Sequence, residues 1–190
     1  ARLPAPFGPA ANGLVSYAQG GDIHVVDPST RESRAIVTGP ELDIGPRFSR
    51  DGTRIVFQRS SGGRAQLYVV RVDGSELTLV TPEPLILTPS VLGEPWEQYQ
   101  FSPNGQILLI ASSENGVPGI TIAQSDGSGL RRLKVGMAVY EPSFRPPDGA
   151  EILFVGRPGF GGTEHGLYAI DPSDEVIRPI VEPSPGYDLA

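Results

Sequence analysis

"FSRDGTRIVFQ" (48–58), "FSPNGQILLIA" (101–111) and "FRPPDGAEILFV" (144–155) are one phrase written three times: an aromatic residue, a polar turn closing on Gly, then a run of aliphatic residues. "ANGLVSYA" (11–18) is a looser fourth version. The turn glycines Gly13, Gly52, Gly105 and Gly149 stand 39, 53 and 44 residues apart. Each apolar run leads to a second one that ends in a D-P-S or D-G-S turn: "DIHVVDPS" (22–29), "QLYVVRVDGS" (66–75), "GITIAQSDGS" (119–128) and "GLYAIDPS" (166–173). A third follows in "RAIVT" (34–38), "LTLVT" (77–81), "LRRLKV" (130–135) and "VIRPIV" (176–181). With the strand that ends in "GPRFS", "QYQFS" or "EPSFR" before the turn, each unit has four strands. A repeat of about 40–50 residues with four strands per unit predicts the blades of a β-propeller.

Helices are excluded independently. The chain holds 24 Gly and 20 Pro, and no interval between consecutive Gly or Pro exceeds ten residues. A helix interior loses about 1 kcal/mol for each Gly and about 3 for each Pro, so the fold class is all-β. Asn-Gly and Asp-Gly supply the φ > 0 positions of tight hairpins. The strands "RIVF", "ILLIA" and "EILFV" are apolar on consecutive residues, as expected of strands buried on both faces. A two-sheet β-sandwich should alternate more cleanly and has no need of the repeat. A single propeller domain is therefore predicted over 1–190, with blades near 7–38, 40–81, 96–135 and 138–182.

The pattern F-S-P-[ND]-G, an apolar strand, then "YVVRVDGS" resembles the WD40-like (PD40) repeats of TolB-type propellers, most closely over 46–81 and 100–135. The same repeats occur in the propeller domains of prolyl-oligopeptidase-like and tricorn-like peptidases. The resemblance implies a non-catalytic, protein- or peptide-binding module that is bacterial and extracytoplasmic, either periplasmic or secreted. The start at Ala rather than Met adds to the extracytoplasmic expectation. The alternative it implies is the substrate-gating propeller of a serine peptidase whose catalytic domain is not in this chain. A carbohydrate-active propeller is a third, weaker possibility, because such sites draw on several converging His or carboxylates.

The chemistry of the side chains points the same way. The formal charge is −7, which argues against a nucleic-acid backbone as partner. No aliphatic run is long enough to span a membrane as a helix. There is no Cys and no G-x-S-x-G elbow, and the two histidines are His24 and His165. His24 aligns with Tyr68, Thr121 and Tyr168 inside a strand, which predicts a packing role. His165 beside Glu164 is a sparse start for a metal or acid–base site. Asp73, Asp126 and Asp171 lack calcium-loop spacing and fit turns that hydrogen-bond their own backbone. No cofactor, metal site or catalytic residue is expected.

In a four-stranded meander the first and third turns lie at one end of the blade, and the second turn and the link to the next blade at the other. The first and third turns here are stereotyped. Length variation is predicted at the other end, in 59–66, 112–119 and 156–166, with the long link 81–100. Loops that vary on a rigid scaffold are where binding surfaces form. That end holds Trp96, Tyr99, Arg59, Arg64, Arg157, Phe160 and His165, residue types that anchor interfaces. A protein or peptide partner is expected there. The ring is expected to be incomplete, since "PGYDLA" (185–190) matches the stretch before a first strand. Blades from a longer chain, or a homodimer, would complete it; a closed four-bladed ring is the alternative.

Overall fold

The computed structural model describes residues 13–62, 64–87, 99–158 and 164–185, and within them every regular element is a strand. The first sheet holds β1 (Val15–Gln19), β2 (Asp22–Val26) and β3 (Ser33–Val37). The second holds β4 (Leu42–Phe48), β5 (Arg54–Ser61), β6 (Arg64–Arg71) and β7 (Thr78–Leu79). The third holds β8 (Ile86–Leu87), β9 (Tyr99–Phe101), β10 (Ile107–Glu114), β11 (Val117–Gln124) and β12 (Arg131–Arg132). The fourth holds β13 (Ala138–Phe144), β14 (Ile152–Arg157), β15 (Glu164–Ile170) and β16 (Ile177–Pro185). All pairings are antiparallel, and all but that of β8 with β10 join strands consecutive in the chain, as in a propeller blade. The first strand predicted for the first unit lies outside the described residues.

The third sheet starts earlier in the chain than position 96. β8 and β9 lie on the same edge of β10, where Leu87 faces Ser112 and Tyr99 faces Ile110. Leu87 and Tyr99 are thus neighbours on this edge, two ladder positions apart. Pro82 and Pro84 conceal this start in the sequence, because proline marks turns and donates nothing to a ladder. Leu85 bridges back to Ala65 of the second sheet, so the chain passes directly from the edge of one sheet to the inside of the next.

Burial follows the consecutive apolar runs. Ile55 and Phe57 pack with Ile23, Val25 and Val37 between the first and second sheets. Their neighbour Val56 points the other way, joining Leu67, Val69, Leu108 and Ile110 between the second and third. Leu109 in turn meets Ile152, Phe154 and Ile170 between the third and fourth. Residues i and i+1 of a strand project to opposite faces, so a strand between two blades must be apolar at both. Phe57, Leu108 and Leu109 are all at most 1 % exposed, as the sequence predicts. Among the described residues these three clusters join consecutive sheets, and none joins the fourth sheet to the first.

One cross-strand pair recurs on the face opposite the one that packs on the following sheet. Tyr17 stacks on His24 (5.1 Å between centroids), Phe57 on Tyr68 (5.7 Å) and Phe154 on Tyr168 (5.6 Å). His24 is thus a packing residue. In the third sheet the equivalent pair is Ile110 and Thr121, which has no ring.

The stereotyped turns hold themselves together. Ser49 Oγ donates to Asp51 and accepts from the Arg54 amide; Ser102 does the same with Asn104 and Ile107. In the D-x-S turns one carboxylate oxygen of Asp27, Asp73, Asp126 and Asp171 accepts both the amide and the hydroxyl of the Ser two residues on. The serine hydroxyl above all, then the serine amide, holds each carboxyl below the ordinary value of 3.8. A group depressed on folding contributes stability above its unfolded pKa and loses it as pH falls through the folded value. The urea midpoint should therefore be level down to about pH 5 and fall below pH 3.8. The fall should be shallower in Ser75→Ala/Ser128→Ala; an equal slope would assign acid sensitivity to other carboxyls.

Candidate functional site

Gln19 and Asp22, Ser61 and Arg64, and Glu114 and Val117 close hairpins at the end opposite the stereotyped turns. The loops predicted over 59–66 and 112–119 are therefore short. The described residues of 59–66 are strand apart from Gly62, and 112–119 is strand up to a two-residue turn in which Asn115 and Gly116 take φ of 51° and 78°, the left-handed pair such a turn needs. Serines that look like loop residues are ladder residues here: Ser112 Oγ and Thr121 Oγ1 are 2.7 Å apart and buried. Residues 88–98 and 159–163, the remaining length variation at this end, lie outside the described set, and with them Trp96 and Phe160.

Two predicted site residues belong to the interior. Arg59 donates through Nε and Nη2 to the two carboxylate oxygens of Asp43, each at 2.8 Å, and its guanidinium lies 4.7 Å from the centre of the Tyr68 ring. Hydrogen bonding to Asp43 holds the Arg59 proton more tightly than usual. Tyr99 is 2 % exposed in the cluster between the second and third sheets. Its hydroxyl donates to the Gly45 carbonyl at 2.6 Å, and burial raises its pKa. Gly45 has a φ of 66° in a β4 bulge, and a Cβ there would sit 2.4 Å from that hydroxyl, so the contact needs glycine.

Arg157 and His165 are brought together. Both lie beside Tyr140 on the fourth sheet, with the guanidinium 5.7 Å from the ring centre and the imidazole centroid 6.2 Å away. Arg157 Nε is buried without a hydrogen-bond partner among the described residues. The face they share is the one turned away from the third sheet, with half-buried Leu153 and Val155 below them. Leu153 occupies the place that Val56 and Leu109 occupy in their own sheets.

Arg64 stands apart from these, on the rim of a groove of about 530 Å³ between the second and third sheets. It is lined by Ser112, Thr121, Arg132 and Glu114 of the third sheet and by Pro84 and Leu85 of the link that leads into that sheet. Arg132 is fixed by the carbonyls of Val117 (2.8 Å) and Ser112 (3.3 Å) and by Glu114 (3.4 Å). Ser112, Thr121 and Arg132 were not predicted as site residues. The one sequence signal was Thr121 standing where the other units have a ring.

Among the described residues no three of His, Cys, Asp and Glu converge as metal ligands, and His24 and His165 belong to different sheets. Among the described residues no helix is long and apolar enough to cross a membrane.

Comparison with known proteins bears directly on this arrangement. The family model of the TolB β-propeller domain (PD40) matches residues 4–159. The chain belongs to the TolB β-propeller family. Solved structures similar to this TolB-family propeller include TolB from Acinetobacter baumannii, at 19 % identity and a TM-score of 0.61 over 89 % of this chain and 41 % of that one. Another is oligogalacturonate lyase from Vibrio parahaemolyticus, at 16 % and 0.65 over 90 % of this chain and 50 % of that one. A third is a puromycin-hydrolysing peptidase of Mycobacterium tuberculosis, at 15 % and 0.62 over 85 % and 24 %. At these identities the likeness is one of fold. The chain spans half or less of the length of each.

Proposed function

We propose that this TolB-family propeller is a non-catalytic module of the bacterial cell envelope that binds a protein or peptide at its long-loop end. The observation that carries the reading is the state of the arginines there. Arg64 and Arg157 have no ion pair among the described residues, whereas Arg59 and Arg132 are paired. A guanidinium beside aromatic rings, with one nitrogen buried and unsatisfied, is the kind of group that a partner's carbonyl or carboxylate completes. Trp96 joins the same surface in this reading, and the extracytoplasmic location rests on the likeness to TolB. The test is capture of envelope proteins by the purified chain. A partner held by wild type should be lost with Arg157→Gln and kept with Ser75→Ala at the opposite end. Trp96→Ala should weaken its binding by about 2 kcal/mol or more without lowering the melting temperature. Partner capture indifferent to both Arg157 and Trp96 would remove this face from consideration.

The likeness to a peptidase propeller supports a second reading, in which the module gates access to a catalytic domain elsewhere in a longer protein. Hydrolysis of peptide substrates by the full-length gene product, absent from this chain alone, would favour it.

A further inference from the structure

The gap between neighbouring sheets is plugged at the long-loop end in two places and left open in one. Between the first and second sheets, Arg59 and the ring of Tyr68 fill it. Between the third and fourth, the ring of Tyr168 lies so close over Gly156 and Gly166 that a Cβ on either would come within 3 Å of it. Ladder pairing puts Ser112 and Thr121 at the corresponding places of the third sheet. These two small hydroxyl side chains leave the groove between the second and third sheets. We propose that this groove, with Arg64 on its rim and Arg132 fixed beside Ser112 and Thr121, binds the C-terminal residue of a peptide, carboxylate against Arg64 and an apolar side chain against Leu85 and Leu130.

This rests on the long-loop end being the working end, and it names the ligand class. The volume of about 530 Å³ is within the range of small-ligand sites. Charge limits the ligand to a single carboxylate. Of the three arginines at the groove, Arg131 pairs with Glu175 and Arg132 with Glu114, which leaves Arg64 without an ion pair among the described residues. A phosphate dianion would face the Glu114 carboxylate with one uncommitted cation to offset it. The wall selects the rest: Leu85 and Leu130, both half-buried against the cluster between the second and third sheets, line the groove with aliphatic surface. Ser112 and Thr121 supply hydroxyls on the floor for a peptide amide or carbonyl.

The test is titration of the whole chain with N-acetylated glycyl-alanyl-leucine, as the free acid and as the C-terminal amide, followed by amide NMR and calorimetry. The free acid should shift the signals of Arg64, Leu85, Thr121 and Arg132, and the amide should bind about tenfold more weakly or less. Arg64→Gln should bring the acid down to the affinity of the amide. Thr121→Tyr, which restores the ring found at Tyr68 and Tyr168, should abolish binding. Arg64 is exposed, so its variant carries the test should Thr121→Tyr fail to fold. Equal affinity for acid and amide, no binding of either, or undiminished binding by folded Thr121→Tyr would overturn the proposal. Preference for a uronic acid or inorganic phosphate over the peptide would overturn the peptide assignment. Envelope-partner capture that survives in Thr121→Tyr and fails in Arg157→Gln would leave the docking face standing while the groove proposal fell.

Discussion

Phe57→Ala is expected to lower the unfolding free energy by about 3–5 kcal/mol. The ring has no exposed surface, lies between the first and second sheets with Ile23, Val25, Val37 and Val70, and stacks on Tyr68. Truncation removes the ring's own transfer energy and leaves a cavity between two sheets that cannot close without sliding past each other. Domains of this size are stable by about 5–15 kcal/mol, so the loss is a large share of the total. Urea denaturation of the variant beside Leu79→Ala, an exposed residue, measures it. A cost near that of Leu79→Ala would mean that the first two sheets are not packed through this ring.

That residue was legible because its strand is apolar on consecutive positions, a pattern that fits few environments other than the space between two blades. The D-G-S turns were legible for a similar reason: Asp and Ser two residues apart have little to do but bind each other's atoms. The site was harder to read. Ser60, Ser112 and Ser113 carry the polarity of loop residues, yet ladder pairing places them in strands, where hydrogen bonds between side chains satisfy Ser112. Tyr99 and Arg59 belong to residue types that anchor interfaces, and the sequence offers no sign that Gly45 and Asp43 already occupy them. Such partners are set by which blades lie side by side, which the spacing of the repeats does not reveal. Thr121 is the counter-example. Its departure from His24, Tyr68 and Tyr168 was visible in the aligned units, and it coincides with the groove.

Arg59→Leu should destabilise the fold by about 3–5 kcal/mol, comparable to the loss of Phe57 and for a different reason. Asp43 is 1 % exposed at the long-loop end of the second sheet, and its amide donates to Gly21 of the first. Its carboxylate depends on the guanidinium for both the charge and the two hydrogen bonds that offset its removal from water. Without Arg59 that negative charge stays buried and unpaired, and the cation over Tyr68 goes with it. Asp43→Asn should cost less, because the Arg59 side chain is 19 % exposed and can turn to solvent. The double variant Asp43→Leu/Arg59→Leu should recover most of the loss, since a buried pair replaced by apolar groups of similar volume is often neutral or better. A double-mutant cycle in urea at neutral pH decides it. Losses that simply add would show the two residues acting independently, and the Arg59 effect would then belong to its packing on Tyr68 rather than to its charge.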